Sequence, residues 1–245
     1  MKMIVKKFVL LSVAILCLVA VVAGGAWCSA QCDSSPCTAV QIVVEDSLER
    51  QFVDADELAN YLRRHRLYPL GLSMESVDCQ AIEQCLQRHD MVRNVECYKS
   101  PFGGVCVDVR QRIPVLSVVA SDGSYYVDSD RRVMPVRNQI QVDVPVFRGA
   151  VGPRAATEEY YDFVVWLRDH RYWSSRIHNI HVVNPKYLVL SQEGLGAKII
   201  LGTLEGYAEK LEKLQKLYTQ GLDKIGYPDY REYDLRFNGQ VVGRK

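Results

Sequence analysis

Polar and apolar residues alternate in the last strand-like segment of the chain, residues 233–237. One face carries the apolar side chains of Tyr233, Leu235 and Phe237, and the other carries the charged side chains of Glu232, Asp234 and Arg236. A period of two predicts a strand with one buried and one solvated face. Because the segment is close to the C-terminus, we expect it at a sheet edge, where another chain can add a strand. The alternative is that it only completes its own sheet.

The dipeptide Asn238-Gly239 decides how this strand continues. It is either a hairpin turn or a bulge in one continuous strand. A hairpin would add a short strand from Gln240 and move the exposed edge to Val241 and Val242.

The pattern over residues 39–118 predicts the order strand, helix, helix, strand, strand. Apolar residues recur every three to four positions in both helical segments, which is typical of amphipathic helices. The residues that can cap their N-termini are Asp54 or Asp56 for the first helix and Ser73 or Ser76 for the second. This order is that of a self-contained small α/β domain.

A hairpin ends this first domain, with strands at residues 92–98 and 105–109. Aligning their apolar faces pairs Cys97 with Val107 and leaves Cys106 on the opposite face. The pattern therefore argues against a disulfide between Cys97 and Cys106.

The remainder, residues 119–245, predicts a β-rich domain with flanking helices, and the fold class is α+β. A strand is predicted at residues 139–147, and Pro145 within it indicates a sheet edge. The last helix has an apolar stripe, and its solvent-exposed face carries lysines. The stripe consists of Tyr207, Leu211, Leu214 and Tyr218, and the lysines are Lys210, Lys213 and Lys216.

The N-terminal region contains an uncharged apolar stretch at residues 8–27, long enough to cross a bilayer. Lysines in the short tail of residues 1–7 and acidic residues after the stretch place the N-terminus in the cytoplasm. Residues 28–38 then form a juxtamembrane linker. A cleaved signal peptide is the competing interpretation, but the apolar stretch exceeds a signal's usual apolar length. Both interpretations place residues 28–245 outside the cytoplasm.

Charge and motifs exclude several function classes. The balance of 30 Lys+Arg against 29 Asp+Glu gives a net charge of +1, which argues against nucleic-acid binding. The common catalytic and nucleotide-binding motifs are missing, so we expect no cofactor and no enzymatic activity. Asp128-Ser-Asp130 is predicted to form a turn between strands. The linker cysteines Cys28, Cys32 and Cys37 leave a disulfide or a soft metal site open.

The chain resembles the FtsQ/DivIB family of single-pass cell-division proteins over nearly its whole length. The segments that carry the resemblance are Arg112-Ile-Pro-Val115, Tyr125-Tyr-Val-Asp128, Ile200-Leu-Gly202, Lys210-Leu-Glu-Lys-Leu214, Asp234-Leu-Arg-Phe237 and Gln240-Val-Val242. The resemblance implies a POTRA domain at residues 39–118, then a β domain with a mixed sheet at residues 119–245. It also implies a site at the septum in the inner membrane.

In such proteins the β domain binds FtsB, which comes with FtsL, and the POTRA domain helps to recruit other division proteins. The resemblance therefore implies a non-enzymatic scaffold that binds an FtsB-like strand at its C-terminal edge. The positions implied to bind the partner are Tyr230, Tyr233, Arg236, Phe237, Gln240 and Val242, with Lys210, Lys213 and Tyr218 on the preceding helix.

Two other functions remain open. The first is a POTRA-bearing accessory protein for secretion or outer-membrane assembly. The second is an exported enzyme with an unrecognised site, in which Asp128 and Asp130 would take part.

Overall fold

The computed structural model of the chain describes residues 18–19, 35–45, 51–121, 123–136, 142–192, 196–226 and 230–245. The chain divides into two compact units, Met1–Gln111 and Arg112–Lys245. The sequence pattern placed this division after residue 118 instead. The difference arises because Pro114–Ala120 is a strand of the second unit's sheet.

The first unit has the predicted order of strand, helix, helix, strand and strand. Its elements are β1 (Ala39–Glu45), α1 (Ala55–Arg64), a 3-10 turn (Met74–Ser76), α2 (Cys79–Leu86), β2 (Val92–Ser100) and β3 (Gly104–Gln111). Among the described residues the sheet order is β1-β3-β2, with β1 parallel and β2 antiparallel to β3.

The helix caps of this unit agree with the prediction for α1 and differ for α2. Asp54 accepts a hydrogen bond from Glu57 N at 2.6 Å, as predicted for one of the two candidate caps. Asp78, rather than Ser73 or Ser76, caps α2 by accepting from Ala81 N at 3.0 Å. Ser73 instead lies directly before the 3-10 turn that precedes α2, and Ser76 is the last residue of that turn.

The register of the first unit's hairpin is confirmed. Cys97 lies opposite Val107, and Tyr98 lies opposite Cys106. The two cysteines therefore belong to opposite faces of the sheet, since side chains alternate along a strand.

The second unit is built on one mixed sheet. Its elements are β4 (Pro114–Ala120), β5 (Gly123–Asp128), β6 (Val133–Pro135), β7 (Val146–Gly149), α3 (Pro153–Thr157), α4 (Glu159–Asp169), β8 (Ile177–Asn184), β9 (Tyr187–Gln192), β10 (Lys198–Gly202), α5 (Tyr207–Lys216), a π-helical turn (Leu217–Leu222), α6 (Asp223–Ile225), β11 (Glu232–Asp234) and β12 (Val242–Arg244). In the part of the chain that the structure describes, the nine strands run in the order β12-β11-β10-β9-β8-β7-β4-β5-β6.

A single hydrophobic cluster joins this sheet to α4 and α5. Phe147 of β7 stacks on Tyr160 of α4 with ring centroids 5.1 Å apart. Leu211 and Leu214 of α5 are fully buried in the same cluster, as the apolar stripe predicts. The sheet and these two helices thus share one hydrophobic core.

The strand predicted at residues 139–147 corresponds to β7. It is not at a sheet edge, so the predicted edge position was wrong. β7 lies between β4 and β8 and is parallel to both. Pro145 directly precedes β7 rather than interrupting it, and its carbonyl accepts from Ser117 N at 2.9 Å. Its missing N–H is therefore not required within the ladder.

The predicted tail of residues 1–7 and most of the predicted membrane helix and linker lie outside the described residues. Of the helix, the structure describes only Leu18 and Val19. Among all described residues, no helix has both the length and the apolar character needed to span a membrane.

Candidate partner-binding edge

The end of the second unit's sheet is formed by two short strands after a helical crossover. β11 runs parallel to β10, and β12 returns antiparallel to β11. The chain reverses at Asn238-Gly239, where Gly239 has a φ of 81° that favours glycine. The prediction that the strand beginning at Tyr233 is itself the edge was therefore wrong. The chain reverses as the hairpin alternative expects, but the returning strand begins at Val242 rather than at Gln240, so the edge is Val242–Arg244, which we call the terminal edge.

The backbone register shows which groups of the terminal edge face outwards. Arg231 O accepts from Lys198 N, and Leu235 N donates to Ile200 O, so the backbone N–H and C=O of Tyr233 between them point to β10. The N–H of Arg231, just before β11, instead donates to Arg244 O of β12 at 2.8 Å. Glu232 and Asp234 consequently face β12 and pair with Arg244 and Val242. Between those two residues, Gly243 directs its N–H and C=O away from β11, because backbone groups alternate along a strand. Among described residues, β12 has a strand neighbour on one side only.

A buried carboxylate fastens β12 to β11. Asp234 is fully buried and accepts from Arg236 Nε at 2.9 Å and from Arg236 Nη2 at 2.7 Å. Arg244 Nη2, on β12, donates to the same carboxylate at 3.1 Å. We call Asp234, Arg236 and Arg244 the Asp234 clamp. The hydrogen bond from Arg236 holds the pKa of the Asp234 carboxyl below its ordinary value.

The backbone of β12 also approaches an aromatic ring closely. A Cβ added at Gly243 would lie 2.9 Å from Tyr230 Cε2, so only glycine fits against this ring. Tyr230 in turn meets Tyr233 edge to face, with centroids 5.8 Å apart. The terminal edge is therefore stabilised by packing against the Tyr230 ring as well as by the Asp234 clamp.

The implied partner-binding positions separate into exposed and buried groups. Arg236, Phe237 and Gln240 are exposed, with Phe237 at 42 %. Tyr230 and Val242 are half-buried at the same end of the sheet. These five positions lie on β12 or on the segments that flank β11.

Tyr218 and Tyr233 belong to the core instead. Their rings meet edge to face with centroids 5.2 Å apart, and both side chains are at most 2 % exposed. Tyr218 also donates to Gln192 Oε1 at 3.1 Å. Both tyrosines therefore support the sheet and offer no side-chain surface to a partner.

The two implied lysines lie on α5 and are half-buried. Lys210 Nζ donates to Thr203 O at 2.9 Å and to Leu201 O at 3.3 Å, so it ties α5 to the end of β10. Burial lowers the pKa of Lys210, against the opposing effect of the negative charge of Glu205, and the positive charge of Lys213 lowers it further. Lys210 therefore stabilises the connection between β10 and α5, and its side chain is not on the solvent-exposed face of the helix.

Sequence reasoning missed Asp234, Gly243 and Arg244. The period of two predicts Asp234 on the solvated face, because Asp234 alternates with the apolar residues Tyr233 and Leu235. The available signal was the nearby pair of arginines, since a buried carboxylate requires cationic partners.

In the second unit, Asp128, one of the two candidate catalytic residues, stabilises a turn and an ion pair. Asp128 is buried and forms an ion pair with Arg112. Its other carboxylate oxygen accepts from Asp130 N and Arg132 N, at 2.9 and 2.8 Å. The prediction of a turn at Asp128-Ser-Asp130 is confirmed. Within the described ranges, no group of three or more His, Cys, Asp or Glu residues is placed to hold a metal ion.

Comparison with known families gives two matches that together span most of the chain. Residues 113–244 match the family described as FtsQ/DivIB, C-terminal related. Residues 35–110 match the POTRA-like domain. A search of curated proteins gives no match.

Proposed function

The chain belongs to the FtsQ/DivIB family, and on that premise we propose that it is a non-enzymatic scaffold of the divisome that binds an FtsB-like strand at its terminal edge. FtsL would join through FtsB, and the POTRA-like unit would recruit other division proteins. The scaffold would sit in the inner membrane at the septum, with residues 28–245 outside the cytoplasm.

The observation that carries the proposal is the outward-facing backbone of Gly243 in a strand with one described neighbour. An added strand gains affinity from such backbone groups and selectivity from alternate side chains. The side chain of Val242 on the terminal edge and the exposed side chains of Phe237 and Gln240 in the preceding turn supply that selectivity.

The opposite end of the same sheet is less suited to strand addition. β6 consists of Val133–Pro135 and pairs with β5. Proline carries no backbone N–H, and its presence is a common means of blocking an edge. The terminal edge contains no proline. This contrast favours β12 over β6.

Site-specific photo-crosslinking in dividing cells tests the edge. We expect the full-length chain with p-benzoylphenylalanine at Phe237, Gln240 or Val242 to give a covalent adduct with an FtsB-like protein. Val133 is the matched control, because it is an exposed apolar residue on the opposite edge strand. An adduct from position 133 alone would assign binding to β6 and refute the proposal for β12.

Depletion of the protein tests the scaffold role itself. Filamentous, undivided cells are the expected result. Normal division accompanied by outer-membrane defects would instead favour the POTRA-bearing accessory protein.

A further inference from the structure

Two cysteines of the first unit meet where α2 packs on β2. Cys79 is the first residue of α2, directly after the capping residue Asp78. Glu83 follows one turn later and shares its helix face, because residues four apart are neighbours on a helix. Glu83 Oε1 accepts a hydrogen bond from the backbone N of Cys97 at 2.8 Å. The helix face that carries Cys79 is therefore fixed against the middle of β2.

The side chain of Cys97 points to this helix. Cys97 lies opposite Val107, which is fully buried, so both belong to the covered face of the sheet. After burial, the neighbouring Cys79 thiol is the largest cause that raises the pKa of the Cys97 thiol, so the two thiols lie near each other. Both thiols are free in the structure and partly accessible.

The other described cysteines are placed differently. Cys106 lies on the opposite sheet face, across from the exposed Tyr98. Cys37 is buried, and its Sγ donates to Ala39 O at 3.3 Å. Cys85 is six residues after Cys79 on α2, about 240° around the helix axis. Cys79 and Cys97 are thus the pair that geometry selects among the described cysteines.

We propose that Cys79 and Cys97 form a disulfide bond when the chain meets a thiol–disulfide oxidant. The Cys79 thiolate attacks one sulfur of the oxidant's disulfide and releases one thiol. The Cys97 thiol then loses its proton and attacks the Cys79 sulfur of this mixed disulfide, releasing the second thiol. Two electrons pass from the cysteine pair to the oxidant, whose disulfide is reduced to two thiols.

The order of these steps follows from the burial of Cys97. Burial is the largest cause that raises the pKa of this thiol, and the neighbouring Cys79 thiol raises it further. Cys97 therefore stays protonated at neutral pH and is a poor first nucleophile. It reacts second, once the mixed disulfide at Cys79 is held beside it.

Oxidation in the cell requires the proposed extracytoplasmic placement, since disulfides persist in oxidising compartments. In that one respect the inference rests on the proposed function. A test on the purified chain does not depend on that placement. Absence of the disulfide in vitro would refute this inference and leave the scaffold proposal intact.

The test is oxidation of the full-length protein with excess oxidised glutathione under native conditions, followed by alkylation of free thiols and tryptic digestion. Cys79 lies in the peptide of residues 67–88, and Cys97 lies in residues 94–99. We expect these two peptides to be linked. We also expect the melting temperature of the first unit to rise by roughly 10 °C relative to the reduced chain.

Substitutions assign the linkage. Cys79→Ser and Cys97→Ser should each abolish it, while Cys85→Ser and Cys106→Ser should leave it unchanged. The Cys85 control is required because Cys79 and Cys85 share one tryptic peptide. A linkage of Cys97 to Cys106, a linkage that Cys85→Ser removes, or unlinked peptides after oxidation of the folded wild-type chain would overturn the proposal.

Discussion

Replacing Asp234 by asparagine should destabilise the second unit and loosen its terminal strand. The substitution keeps the size of the side chain but removes its negative charge. Four N–H groups currently point at this carboxylate, namely Arg236 N at 3.2 Å, Nε at 2.9 Å and Nη2 at 2.7 Å, and Arg244 Nη2 at 3.1 Å. The amide NH2 of asparagine would have to face some of these donors, so several of the bonds would be lost.

The size of the effect follows from the unequal burial of the partners. Removing one member of a buried ion pair costs about 3–5 kcal/mol of the free energy of unfolding. The side chains of Arg236 and Arg244 are 38 % and 48 % exposed, so water can solvate both once the carboxylate is gone. We therefore expect the low end, about 3 kcal/mol, which lowers the melting temperature of this unit by about 10 °C.

Calorimetry of the full-length chain as a function of pH separates the loss of the Asp234 charge from any change in side-chain packing. The pKa of Asp234 is held below its ordinary value of 3.8, so the carboxylate's contribution to stability is complete above that value. The contribution is lost as the pH falls through the lower pKa of the folded state. The Asp234→Asn variant lacks it at every pH. The difference in melting temperature should therefore be largest near pH 7 and shrink below roughly pH 4.

Asp169→Asn is the matched control, because Asp169 pairs with Arg168 at 3.2 Å on the surface of the same unit. We expect this exposed pair to contribute less than about 0.5 kcal/mol. Equal melting temperatures for Asp234→Asn and the wild type at pH 7 would refute the reasoning. A difference that stays constant down to pH 3 would also refute it.

Two further substitutions test the support behind the sheet, and both can be measured by urea unfolding. Tyr218→Phe removes the hydrogen bond to Gln192 and should cost about 1 kcal/mol while leaving partner capture unchanged; loss of capture at unchanged stability would place Tyr218 at the interface instead. Gly149→Ala should cost roughly 3 kcal/mol or more, because the new Cβ would lie 2.3 Å from Val182 O at a φ of 106°. Gly152→Ala, where a Cβ meets nothing within 4 Å, should cost less than about 1 kcal/mol, and similar losses for both glycines would contradict this reasoning.

The first unit could be predicted closely from its sequence because its signals are local. The hairpin strands β2 and β3 are neighbours in sequence, and aligning their apolar faces gives the observed pairing of Cys97 with Val107. The cap of α1 at Asp54 is also a local signal. The contact between Cys79 and Cys97 was not predicted, since it depends on how α2 packs on the sheet.

The terminal segment was predicted less well because its neighbours are distant in sequence. Period two correctly predicts the burial of Tyr233 and Leu235. It does not predict that β10, about thirty residues earlier, and β12, after the turn, flank β11 on both sides. Burial of Asp234 and exposure of Phe237 both follow from that non-local pairing.

The Asp234 clamp has a consequence for affinity although it need not touch a partner. β12 has three residues, and a terminal strand this short can open locally, from a docked to an undocked form, at a small cost in free energy. If only the docked form accepts an added strand, the apparent dissociation constant equals the intrinsic one divided by the docked fraction. Each tenfold fall in the docked population then weakens binding tenfold, with every partner contact preserved. Recognition would thus be set partly by an ion pair on the inner side of the strand.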